Sequence, residues 1–67
     1  MTHKIVVYTD GKIWYEQEFR TDDEAKTEFR KSVRAAKKLA KLFGDGNGDT
    51  YERWVGNILI QRVTIKA

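Results

Sequence analysis

Sixty-seven residues leave room for one domain and a small core, so most of the large apolar side chains must be spent inside it. There is no cysteine for disulfides or thiolate–metal staples, no apolar run near the roughly 18 residues of a membrane span, and no signal pattern at the start, which together predict a cytoplasmic protein. Thirteen basic against ten acidic residues give +3, too mild a surplus for a dedicated nucleic-acid arm, so the placement of charge matters more than its sum.

The segment Lys4 to Phe19 is rich in β-branched and aromatic residues and is broken by Asp10-Gly11, a hairpin signal with strands at about 3–9 and 12–19. A two-residue Asp-Gly turn puts Val6, Tyr8, Ile13 and Tyr15 on one face. A three-residue loop, Thr9-Asp10-Gly11, groups Ile5, Val7, Ile13 and Tyr15 instead. The second is preferred, because it pairs Lys4 with Glu16 and Val6 with Trp14 on the opposite face.

A helix over about 22–43 follows. Thr21-Asp22-Asp23-Glu24 fits a capping box, and its acids suit the positive end of the helix dipole. Ala25, Phe29, Val33, Ala36, Ala40 and Phe43 recur at steps of three and four as one apolar stripe, and Gly44 is the natural stop. Such a helix spans roughly 33 Å against about 20 Å for a typical strand, so its last turn is expected to overhang the sheet.

Gly44 to Asp49 reads as a flexible connection, followed by strands at about 50–55 and 58–66 joined by Gly56-Asn57. Leu59, Val63 and Ile65 are expected to share a face with Trp54, and Ile58 and Ile60 to take the other unless a bulge reverses the parity near Gln61.

The elements assemble into a single α+β domain over 1–67, ββαββ, with one long helix on one face of a four-stranded sheet. The most apolar strands are the first and last, which places them centrally and gives a mixed sheet of order 2-1-4-3. Met1-Thr2-His3-Lys4-Ile5, the Asp10-Gly11-Lys12 turn and the closing Val63-Thr64-Ile65 are similar to the immunoglobulin-binding domains of streptococcal protein G. That resemblance implies a β-grasp-like topology. The helix and the loop after it are longer than that family's, so no antibody-contacting residue is carried over.

Little here suggests catalysis. His3, near the first strand's start, and Ser32, mid-helix, are the lone histidine and serine, so no triad is expected. Glu16 and Glu18 share a strand face, but neighbours such as Lys4 neutralise them on an open surface. One histidine and no cysteine do not make a zinc site. Asp45-x-Asn47-x-Asp49 copies the start of a calcium loop, yet Thr50 and Gly56 stand where its glycine and bidentate glutamate belong. No enzyme, metal, cofactor or small-molecule substrate is expected.

Two surfaces are candidates for binding. Arg30, Lys31, Arg34, Lys37, Lys38 and Lys41 fall, at about 100° per residue, within roughly 120° opposite the apolar stripe. The uncovered sheet face is expected to display Val6, Tyr8, Trp14, Tyr51, Arg53, Ile58, Ile60 and Arg62, aromatics interleaved with arginines. The leading expectation is a protein-binding module that occludes a larger, acidic partner, in the manner of small proteins with which phages and mobile elements inhibit host machinery. A nucleic-acid binder, with the basic face on phosphates and stacking by Trp14, Tyr8 or Tyr51, is the alternative. A designed scaffold without a partner is a third reading, and a homodimer through the open sheet face is a further option.

Overall fold

In a computed structural model, residues 2–66 are described, and the order of elements is β1 (His3–Thr9), β2 (Lys12–Phe19), α1 (Asp22–Phe43), β3 (Thr50–Val55) and β4 (Ile58–Thr64). The class is α+β. The strand order, however, is β2-β1-β3-β4, and every neighbouring pair is antiparallel. β1 therefore pairs with β3 and not with β4, which corrects the mixed 2-1-4-3 order. The physical reason lies in β3. Its central residues, Glu52 and Arg53, are polar yet buried, because each has a charged partner. β4 is the more apolar strand but lies at the edge, with Ile58 and Ile60 exposed. Apolarity alone ranked the two strands the wrong way round.

The first hairpin closes with Thr9 opposite Lys12, a two-residue turn in which Asp10 (φ 53°) and Gly11 (φ 77°) both take positive φ. Asp and Gly tolerate that conformation, and the twist of such a turn matches that of the flanking strands, so the two-residue turn replaces the three-residue loop expected. Beyond the turn the register shifts, because Val7 opposes Tyr15 while Tyr8 opposes Ile13, leaving Trp14 as a bulge. Lys4 accordingly faces Glu18, and Val6 faces Glu16, in place of the pairs expected. A second bulge falls at Ile60, since Arg53 opposes Gln61 while Trp54 opposes Leu59. Val63 and Ile65 thereby reach the core on the helix side, and Leu59 stays with Trp54 on the other face.

Thr21 is extended (φ −127°, ψ 157°), and its hydroxyl oxygen accepts from the Glu24 amide at 3.2 Å, which caps α1. At the far end Gly44, left-handed at φ 74°, donates to the Ala40 carbonyl at 2.9 Å. The apolar stripe buries Ala25, Phe29, Val33 and Ala40 against Ile5, Val7 and Ile65, with Phe19, Ala36, Tyr51 and Val63 at the margin. Burying a side chain such as Phe29 contributes about 1.5–3 kcal/mol. Support ends before the helix does, for Leu42 and Phe43 are 61% and 69% exposed. The loop after α1 is anchored, not free. Gly48 donates to the Ile65 carbonyl, Ile65 to that of Asp49, and Asp49 to that of Gly46.

Candidate functional site

The helix packs chiefly over β1, β2 and β3, and a groove of about 440 Å³ opens along its β4 flank. Phe29, Val33 and Val63 make its apolar floor. Lys26, Arg30, Arg34 and Lys37 stand along the helix wall, with Arg53 and Gln61 from the sheet. Helical steps of three and four put these cations on one side of α1, flanking the buried stripe. All six predicted cations are exposed. Arg30, Arg34 and Lys37 line the groove, while Lys31, Lys38 and Lys41 extend the charge over the outer helix surface. Lys26 was missed by sequence reasoning, although it stands four residues before Arg30 and so belongs to the same row.

Asp22 joins this groove to the rest of the molecule. Its carboxylate accepts from Arg53 Nη1 at 2.9 Å and lies 3.5 Å from Lys26 Nζ and 3.8 Å from His3 Nδ1. Arg53 is therefore a partly neutralised wall of the groove and does not belong to the open sheet face. Tyr51 has the same parity. It opposes Val7 and packs at the core margin, where burial and the nearby Asp49 charge push its phenol above the usual tyrosine range.

Trp14 also changes sides. Because it sits in the bulge, it lines a recess on the helix side with Tyr15, Gln17, Glu28 and Ser32, and its ring lies 6.1 Å from that of Tyr15. At 70% exposure it is the most open of the large apolar side chains among the described residues. Of the sheet residues expected to form one patch, Val6, Tyr8 and Arg62 remain on the uncovered face, with Val6 itself buried at 3%, whereas Ile58, opposite Val55, takes the helix-side parity.

What occupies that face is a closed polar cluster. Glu52, 4% exposed, accepts from Trp54 Nε1 at 3.0 Å through one carboxylate oxygen and from Arg62 Nε at 2.9 Å through the other. Tyr8 leans on the same carboxylate. Burial, followed by the Glu52 charge, pushes its phenol above the usual range. The sequence carried no local signal for this cluster, since it depends on the β1–β3 and β3–β4 registers. Glu16 and Glu18 lie on the same face, opposite Val6 and Lys4. Among the described residues no group of three His, Cys, Asp or Glu side chains is placed to hold a metal ion, and no helix is long and apolar enough to cross a membrane.

Compared with known protein families, curated proteins and solved structures, the chain matches none. The surfaces themselves must carry the functional reading. One is cationic with an apolar floor, another aromatic on the opposite flank of the helix, and the third a self-paired polar face.

Proposed function

We propose that this chain is a non-catalytic binding module that docks on an acidic protein through the groove between α1 and β4, acting by steric occlusion. The observation that supports it is the convergence of Lys26, Arg30, Arg34 and Lys37 on an apolar floor of Phe29, Val33 and Val63. Cationic walls over an apolar floor suit a peptide that offers both carboxylates and aliphatic side chains. A single-stranded nucleic acid would want stacking rings beside the cations. Here Trp14 and Tyr15 line the recess on the other side of α1, and Tyr8 and Trp54 belong to the uncovered sheet face. The distribution favours a protein partner over a nucleic acid. The open face is a weaker candidate for a homodimer, because its buried carboxylate already has its donors. Occlusion of host machinery by a mobile-element product fits this reading as one biological setting.

The test pairs retention of acidic proteins from lysate with an oligonucleotide shift. Wild type and Trp14→Ala are expected to retain the same acidic partners, released as salt rises, and Arg30→Glu/Arg34→Glu to lose them. An oligonucleotide shift at about 50 mM salt that the charge reversal abolishes, with no acidic protein retained, would overturn the proposal in favour of nucleic acid.

A further inference from the structure

We propose that the partner enters as an extended segment that adds to the free edge of β4 as a fifth strand, presenting carboxylates at alternate positions to the cations of α1. This rests on the acidic-partner reading above and goes beyond it to a binding mode and a sequence pattern.

The edge comes first. β4 is hydrogen-bonded to β3 on one side and terminates the sheet on the other. Just beyond it, Ile65 donates to Asp49 and accepts from Gly48, so Ile65 directs its backbone groups toward the β3 side. In an antiparallel ladder both groups of a residue point the same way, and the direction alternates along the strand. Val63 and Gln61 therefore face β3 as well. Arg62 and Thr64 turn their N–H and C=O groups outward, ready for a further strand. The bulge at Ile60 ends this regular stretch, so the usable edge is short and begins at Gln61.

The spacing comes second. Lys26, Arg30 and Arg34 follow one another at steps of four residues, about 6 Å along the helix. Alternate side chains of a strand lie on one face about 6.6 Å apart. An added strand running alongside α1 would present successive helix-facing carboxylates at nearly the repeat of these cations, and the long Lys and Arg side chains absorb the remainder. Gln61 and Val63 lie beneath, on the helix-facing side of β4.

Charge selects the occupant. A second copy pairing edge to edge would bring another cationic helix wall against the first, which like charges oppose. An oligonucleotide would satisfy the cations but has no strand backbone to extend the β4 ladder.

A fluorescent peptide of alternating Glu and Val tests this by anisotropy, beside a Gln–Val analogue, a peptide of the same composition with all Glu before all Val, and two forms N-methylated at alternate residues. Backbone amide exchange by NMR supplies an independent readout. The alternating peptide is expected to bind, about tenfold more weakly for Arg30→Glu/Arg34→Glu, for the segregated peptide and for at least one N-methylated phase, while slowing exchange at Arg62 and Thr64. Binding that depends on Glu and on the two arginines, but is indifferent to order and N-methylation and leaves Arg62 and Thr64 unprotected, would overturn strand addition and leave the acidic-partner reading standing. Equal binding of the Gln–Val analogue, no binding of any peptide, or binding of oligothymidylate alone would overturn both.

Discussion

Glu52 and Arg53 are neighbours on β3 and point to opposite faces, each buried against a charge. Their partners differ in kind. Arg53 relies on Asp22, which is half-exposed, and its Nε has no hydrogen-bond partner among the described residues. Removing Asp22 leaves a buried guanidinium without its carboxylate and also strips an acid from the first helical turn. Asp22→Ala is therefore expected to cost about 2–3 kcal/mol in urea unfolding. Arg53→Met removes the charge, the orphaned Nε and the pair together, and is expected to cost less than about 1 kcal/mol. If the arginine change were the costlier of the two, the ion pair would hold the helix to the sheet more strongly than desolvation allows.

At the scale of elements, α1 divides into a supported part and an overhang. Phe29 is buried and Phe43 is 69% exposed, although both belong to one apolar stripe. Phe29→Ala is expected to cost about 3–5 kcal/mol, and Phe43→Ser less than about 0.5 kcal/mol. Gly44→Ala meets no atom within 4 Å of the added methyl group, so its expected cost of about 1 kcal/mol is the left-handed backbone alone. Thermal or urea unfolding of the three variants checks the order. This helix was legible in the sequence because its signals are local: Thr21 and Gly44 act within one turn, and the stripe repeats at the helical period. Strand order and faces were not. A bulged residue flips every side chain after it: the one at Ile60 falls where the sequence left room for a bulge near Gln61, whereas nothing local announced the one at Trp14. The basic half of the groove was readable for the same reason as the helix, whereas the Glu52 cluster needed two registers at once.

Over the whole molecule, charge and titration respond to different surfaces. On the proposed reading the groove cations make association salt-dependent, while the titration that burial perturbs is that of the Tyr8 and Tyr51 phenols, both raised. A raised phenol keeps its proton longer in the folded state than in the unfolded state. The associated stability is complete below the unfolded tyrosine value of about 10 and is lost as pH rises toward the higher folded values. The urea midpoint is thus expected to fall above about pH 10, and less steeply for Tyr8→Phe or Tyr51→Phe. An alkaline limb identical in all three proteins would assign the loss to other groups. The positions of the two indoles have a separate consequence. Trp14 stands in water on the first hairpin, and Trp54 is half-covered on the second with its N–H bound to a carboxylate. Each hairpin thus carries its own optical label, and the emission of the folded chain is the sum of a polar, quencher-accessible fluorophore and a shielded one.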